Sequence, residues 1–358
     1  MTNLQSASSG TVGPLPGPAA LAGQMPLPGQ GAALVARARA EARAVLRGED
    51  DRLLVVAGPC SVHDPRAALE YARFLASARA VLAADLLIVM RAYCEKPRTV
   101  TGWTGLINDP RMDGSRDIGL GLRTARRLLL DLTAIGVPAA CEWLNPAAAP
   151  YLADLVTWGA IGARTTESQV HRQLASMLPM PVAFKNGTDG DVQVAVEACL
   201  SAGTMHVFPG MDPAGHAAVL TGAGNPDTHV VLRGGRSGPN YAAPDLAKAL
   251  NMIADAGLPR RVGVDASHAN SGKDHRRQPL VAAAVAEQVA AGEHGVALVM
   301  LESFLAEGRQ EPGDLAALVY GKSVTDGCMG LEATAAVLEA LAAAVRDRRR
   351  AAGQRARR

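Results

Sequence analysis

The chain has 358 residues, enough for one α/β barrel with additions or for two ordinary domains. With 48% hydrophobic and 20% charged residues it has the composition of a globular protein in water, and no apolar run is long and uncharged enough to span a membrane. Net charge is +2, of which Arg346–Arg358 (seven Arg, one Asp) contributes +6, leaving −4 on the rest; without a nucleic-acid motif or aromatic platform beside it, this basic end reads as a helix terminus fraying into solvent.

Residues 1–30 are rich in Gly, Pro, Ala and Ser, which predicts a flexible, extended arm. Residues 1–36 carry no charge, so neither a signal peptide nor an Arg-rich transit peptide is expected, and the chain reads as cytoplasmic. A helix is predicted over Ala32–Leu46. Strand-like runs follow at Leu53–Cys60, Leu86–Tyr93, Val137–Trp143, Ala160–Arg164, Val182–Lys185, His206–Phe208, His229–Arg233, Arg261–Asp265 and Val296–Glu302. Helical patterns separate most of them, at Arg66–Ala84, Asp117–Ile135, Ala147–Trp158, Gln169–Leu178, Val192–Ala202, Pro244–Ala256 and Leu280–Ala291. Glu332–Val345 closes the series as a long helix.

Strand alternating with helix predicts a parallel sheet covered by helices. Nine strand candidates exceed the eight of a closed barrel. The weakest, His206–Phe208, runs into Pro209, Gly210 and Pro213 before a second short run, Ala217–Leu220. Residues 205–224 therefore read as an inserted hairpin. The other eight predict a (β/α)8 TIM barrel in one domain over 31–346, flanked by the arm and by a basic tail at 347–358. A doubly wound open sheet is the alternative, but the first strand–helix turn lacks the Gly-x-Gly-x-x-Gly fingerprint.

In a barrel the site residues come from the carboxyl ends of the strands. Here those ends carry charge: Arg91, Glu142, Arg164, Lys185, Arg233, Asp265 and Glu302, with Lys96 just beyond the second strand and Asp326 in a later loop. Apolar strands that repeatedly finish on a charge are the opposite of what core packing favours. Arg91, Lys96, Arg164, Lys185 and Arg233 suit a ligand bearing phosphate and carboxylate. Cys60, His268, Glu302 and Asp326 offer one sulfur, one imidazole and two carboxylates, a donor mixture suited to a divalent ion between Mn²⁺ and Zn²⁺. Taken singly, each of these residues has a commoner structural role in packing, capping or pairing.

The five cysteines show no CxxC spacing, as in a reduced protein. Lysine is rare, five against 31 Arg, and Lys96, Lys185, Lys273 and Lys322 fall in polar turns after apolar runs. Such positions suit a compact ammonium. A Schiff base through Lys185 is one use of such a lysine and would make a metal-free aldolase.

Several of these stretches resemble a known family. Gly58-Pro59-Cys60-Ser61-Val62-His63-Asp64-Pro65, Glu95-Lys96-Pro97-Arg98-Thr99, Gly162-Ala163-Arg164-Thr165-Thr166-Glu167-Ser168-Gln169, Phe184-Lys185-Asn186-Gly187-Thr188-Asp189-Gly190, Leu232-Arg233-Gly234-Gly235, Ser267-His268-Ala269-Asn270 and Tyr320-Gly321-Lys322-Ser323 are similar, in the same order, to the type I, feedback-regulated 3-deoxy-D-arabino-heptulosonate-7-phosphate (DAHP) synthases. The resemblance runs from about Ala32 to Val345. It implies the first step of the shikimate pathway, in which phosphoenolpyruvate and erythrose 4-phosphate give DAHP and phosphate. It implies one divalent metal ion per subunit (Mn, Fe, Co or Zn) on Cys60, His268, Glu302 and Asp326. Arg91, Lys96, Arg164, Lys185 and Arg233 would hold phosphoenolpyruvate, and Pro97, Arg98 and Thr99 would meet erythrose 4-phosphate. Glu142 would lie near the attacking water, with Lys96, Asp326 and His268 completing the catalytic set. A homodimer or homotetramer is implied, with neither nucleic acid nor membrane as a partner.

Three stretches depart from the family pattern. The arm is uncharged, the hairpin reads Phe208-Pro209-Gly210-Met211-Asp212-Pro213, and the loop after Glu142 reads Trp143-Leu144-Asn145-Pro146. In the family the arm and the hairpin help build the aromatic amino-acid inhibitor site, so weak or absent inhibition by Phe and Tyr is expected.

Overall fold

A computed structural model of the chain describes residues 13–98 and 101–355. Eight parallel strands close into a barrel: β1 (Leu53–Gly58), β2 (Leu86–Arg91), β3 (Ala139–Glu142), β4 (Val156–Ile161), β5 (Val182–Lys185), β8 (Thr228–Leu232), β9 (Val262–Asp265) and β10 (Val296–Glu302). The numbering skips the antiparallel hairpin β6 (His206–Met211) and β7 (Ala217–Gly222), which stands outside the barrel as predicted. The barrel closes between β1 and β10, with Leu54 opposite Leu298 and Gly58 opposite Glu302. Nearly every barrel-strand residue is buried, as expected of a sheet enclosed on both faces.

The helices are α1 (Pro18–Gln24), α2 (Gly29–Arg47), α3 (Pro65–Leu82), α4 (Ile118–Ile135), the single turn α5 (Ala149–Leu152), α6 (Gln169–Met177), α7 (Gln193–Ala202), α8 (Ala243–Asp255), α9 (Gln278–Ala290) and α10 (Leu331–Arg355). Local signals set their ends. Asp64 caps α3 by accepting from Arg66 N, and Pro65 takes the first helical position, where its missing N–H costs nothing. Two short strands, β11 (Ala306–Arg309) and β12 (Lys322–Ser323), pair beside the barrel mouth and had no counterpart in the sequence reading.

Three expectations need correction. The helix predicted over Ala147–Trp158 is only a set of short turns, and Val156, Thr157 and Trp158 belong to β4. The apolar run had merged a turn with the strand after it. Register puts Trp158 opposite Ala140, inside the barrel, where its indole N–H donates to His229 Nε2 at 3.1 Å. The arm is not extended throughout. Pro18–Gln24 is helical, Leu21 is fully buried, and Ala19 N donates to Pro213 O at 2.8 Å. A Gly/Pro-rich composition did not exclude a short helix that starts on a proline and finds a place to bury one leucine.

The basic end does not fray at Arg346: α10 runs on to Arg355. Arg346 and Arg349 each reach the buried Asp85 at 2.7 Å, Arg349 also holds Asp51 at 2.6 Å, and the buried Arg348 donates to Asp51 O. These contacts fasten the last helix to the amino-terminal edge of the barrel, opposite the charged strand ends. Asp85→Ala is expected to lower unfolding free energy by about 1.5–3 kcal/mol, the size of lost charge-assisted hydrogen bonds, without changing turnover. Chemical denaturation together with an activity assay checks both parts.

Candidate active site

The charged ends of β2, β3, β5, β9 and β10 meet on one edge because all barrel strands point the same way. At one corner lie Cys60, Glu302 and Asp326, whose donor atoms all fall within 4.8 Å of one another. Cys60 follows the end of β1 and is fully buried, Glu302 ends β10, and Asp326 comes from the loop after β12. Gln278, at the start of α9, fixes the Glu302 backbone by donating to its carbonyl at 3.1 Å and accepting from its N–H at 2.9 Å. His268 stands beside this trio rather than within it, with Nε2 3.8 Å from Glu302 Oε1. Its backbone is left-handed, φ +57°, an uncommon conformation for a residue with a side chain. The Lys96 ammonium sits among the donors, 3.0 Å from Cys60 Sγ and 2.7 Å from Asp326 Oδ2. The corner therefore already holds a positive charge. Burial, reinforced by Glu302, pushes the Cys60 thiol up to about 11.

Next to this corner is a wall of cations. Arg91 is 2% exposed and donates to Pro59 O, Cys60 O and Glu302 Oε1 at 3.0–3.1 Å. Its guanidinium lies over the Tyr93 ring at 3.7 Å, and its Nη1 is buried without a partner among the described residues. Gly58 lets β1 pass this close, because a Cβ there would come within 2.3 Å of Arg91 O. Lys185 Nζ contacts Asp265 Oδ2 at 2.7 Å. Burial opposes the charge on Asp265, but His268 and Lys185 outweigh it and hold the carboxyl well below the usual range. Asn186 accepts from Arg233 N at 2.8 Å and so fixes the turn after β8. Gly162 leaves room for Glu142, since a Cβ at that position would meet Glu142 Oε1 at 2.2 Å.

A cavity of about 290 Å³ opens over these residues. Its lining includes every predicted substrate and catalytic residue except Thr99, which lies outside the described residues. Cys60 and Glu302 sit behind it, reached through Lys96, His268 and Asp326. Eight Lys or Arg side chains line the cavity against two carboxylates, Glu142 and Asp326, so it suits a polyanion. Two of the eight, Lys273 and Arg309, were not anticipated as site residues. Lys273 had a signal in the rarity of lysine. Arg309 had none, because it reaches the rim only through the pairing of β11 with β12. Asp265 was visible as a charged strand end, but its two partners appear only in three dimensions.

The sequence profile described as the DAHP synthetase I family matches residues 33–339. The chain is 52% identical over 332 residues to the Phe-sensitive phospho-2-dehydro-3-deoxyheptonate aldolase of Escherichia coli K12, covering 93% of this chain and 95% of that protein. It is 51% identical over 337 residues to the Trp-sensitive enzyme of Enterobacter agglomerans, covering 94% and 97%. The solved structure of phospho-2-dehydro-3-deoxyheptonate aldolase from Francisella tularensis SCHU S4 superimposes with a TM-score of 0.93 at 45% identity, covering 96% of this chain and 99% of that one.

Glu95, just before Lys96, is a second carboxylate with an unusual setting. It is 5% exposed and accepts from Asn145 N at 3.2 Å, and burial pushes its pKa up to about 7. The folded chain therefore holds this proton more tightly than the unfolded chain. The site costs nothing below the ordinary value of 4.5, and stability falls as pH rises from there through about 7. Glu95→Gln should thus raise the melting temperature relative to wild type more at pH 8 than at pH 5.5. Equal offsets at the two pH values would contradict the assignment.

Proposed function

Because the chain belongs to the DAHP synthetase I family, whose members condense phosphoenolpyruvate with erythrose 4-phosphate in the first step of aromatic biosynthesis, we propose that this reaction takes place in the cation-lined cavity at the barrel mouth. One observation carries the reading: a wall of cations for a phosphorylated carboxylate shares its cavity with a corner of Cys, Glu and Asp donors.

The donors fit a divalent ion. Their mixture of sulfur and oxygen suits Mn, Fe, Co or Zn, and the Lys96 ammonium between Cys60 and Asp326 marks a place that already favours a cation. Cys60, His268, Glu302 and Asp326 would hold the ion, which when bound supplies Lewis-acid polarisation of the aldehyde oxygen. Arg91, Arg164, Lys185 and Arg233 bind the phosphate and carboxylate of phosphoenolpyruvate and fix which face its C3 presents. Pro97 and Arg98 hold erythrose 4-phosphate across the cavity. C3 bonds to the aldehyde carbon, whose oxygen gains a proton, and positive charge develops at C2. Water adds at C2 and gives up a proton, with Glu142 placed to accept it and Lys96 or Asp326 to pass it on. The hemiketal phosphate then breaks its C2–O bond, phosphate leaves, and the C2 hydroxyl loses its proton to become the ketone. Lys185 acts as a fixed charge in this scheme. Its Nζ is engaged by Asp265 Oδ2 at 2.7 Å, a contact that a Schiff base would have to give up.

Assembly into a homodimer or homotetramer belongs to the same reading. Met205, Val207 and Val219 on and beside the hairpin are exposed, as residues at a subunit contact often are before assembly. Five free, buried cysteines agree with a reducing compartment. Among the described residues no helix is long and apolar enough to cross a membrane.

Phosphate release from phosphoenolpyruvate plus erythrose 4-phosphate should stop with EDTA and return with Mn²⁺. Cys60→Ala should fold yet show no metal-dependent turnover, and wild-type activity in that variant would sink the donor set. A second expectation concerns regulation. An apolar cavity of about 710 Å³ lies between α1, α6 and the hairpin, and its only charged lining residue among those described, Asp154, is already paired twice with Arg126 at 2.8 Å. No cation among the described lining residues meets an amino-acid carboxylate. Phe and Tyr at millimolar concentration should therefore leave the initial rate nearly unchanged, and inhibition at micromolar concentration would refute this.

A further inference from the structure

We propose that Asp265 is a positioning residue that couples the metal corner to the cation wall, because a single oxygen, Oδ2, holds both His268 and Lys185. The distances are 2.8 Å to His268 Nδ1 and 2.7 Å to Lys185 Nζ. Asp265 is fully buried at the end of β9. Its other oxygen, Oδ1, accepts from Ser267 N at 3.0 Å and from Ser267 Oγ at 2.6 Å, so the carboxylate has no freedom to turn. The backbone around it is equally fixed. Asn270 Nδ2 donates to Asp265 O at 2.9 Å, and Lys273 N closes back onto His268 O at 2.7 Å.

This arrangement has two consequences. Nδ1 lies 2.8 Å from Asp265 Oδ2 and 2.7 Å from the Ser267 Oγ that itself donates to Asp265 Oδ1, so the His268 nitrogen turned to the donors is Nε2, on the side of Glu302. A carboxylate on the far nitrogen of a ligating imidazole orients it and makes it a better donor. Meanwhile Lys185 draws on the same oxygen. An anion that binds the Lys185 ammonium from the cavity weakens its hold on Oδ2, which then bears more fully on His268. Anion binding at Lys185 thus tightens metal binding at His268, and by linkage the metal tightens anion binding by the same factor. The identity of the anion, phosphoenolpyruvate, and the place of the metal beside His268 rest on the reading above.

The same qualitative effect would arise from direct attraction between metal and anion, so the test is a double-mutant cycle read by binding without turnover. The dissociation constant of Mn²⁺ is measured by electron paramagnetic resonance on wild type, Asp265→Asn, Lys185→Met and the double variant. Asp265→Asn should weaken Mn²⁺ binding by roughly 10–100-fold, the usual effect of losing such a partner. Lys185→Met, though not a ligand, should tighten Mn²⁺ several-fold when Asp265 is present and hardly at all when it is Asn. Adding phosphoenolpyruvate should likewise lower the Mn²⁺ constant of wild type more than that of Asp265→Asn. An equal effect of Lys185→Met in both backgrounds, or a wild-type constant for Asp265→Asn, overturns the proposal. If Asp265→Asn does not fold by circular dichroism, Lys185→Met decides alone, and an unchanged Mn²⁺ constant overturns it. Because no step is catalytic, failure to form DAHP would count against the reaction and not against this coupling.

Discussion

A charge buried in a barrel must find a partner, and that requirement organises this site. The strand ends are apolar up to their last residue, so the charges they carry cannot all be solvated. They neutralise one another instead: Arg91 with Glu302, Lys96 with Asp326, Lys185 with Asp265. Each pair joins residues distant in sequence across the barrel mouth. Breaking such a pair by removing one member costs far more than the pair itself contributes, because an uncompensated charge stays behind. The same pairs keep the cations extended toward the cavity before any substrate arrives. Preorganisation of this kind is what a reaction between two anionic substrates needs, since their phosphate and carboxylate groups repel one another as the reacting atoms are brought together.

The two ends of the barrel divide the work. The carboxyl edge gathers excess positive charge around a cavity, and three glycine-dependent or left-handed positions there (Gly58, Gly162 and His268) bring groups closer than ordinary packing allows. At the amino edge, arginines of α10 are matched to Asp51 and Asp85. One edge accepts strain and unbalanced charge for chemistry, while the other uses balanced charge to anchor the chain. The rarity of lysine fits this division. Arginine serves both the structural contacts and the cavity wall, and two of the five lysines, Lys96 and Lys185, stand where a single compact charge meets a sulfur or a carboxylate.

The hairpin and the arm form a third region with its own logic. Among the described residues β6 and β7 pair only with each other, and α1 packs on their turn through Ala19 and Pro213. The resulting cavity is apolar, and the one acid among its described lining residues is already occupied by the buried Arg126. Among the described residues, the lining of this cavity and that of the cation-lined cavity share no residue.

The sequence by itself determined the barrel, since eight apolar runs separated by helical periods leave few other ways to cover a parallel sheet. It also determined which residues sit at the reactive edge, because charged residues closing apolar strands reveal themselves in one dimension. It misplaced β4 by merging Val156–Trp158 with the preceding turn, and it missed the helix in the arm and the ordered end of α10. In each case local composition was ambiguous and a distant contact settled the outcome: Trp158 with His229, Leu21 with its buried site, Arg349 with Asp51 and Asp85. Tertiary structure alone decided that Lys96 stands between Cys60 and Asp326, that His268 lies beside the group of Cys60, Glu302 and Asp326, and that Asp265 serves two partners with one oxygen. Such arrangements depend on ångström-scale distances between strands far apart in the chain, and hydrophobic periodicity carries no record of them.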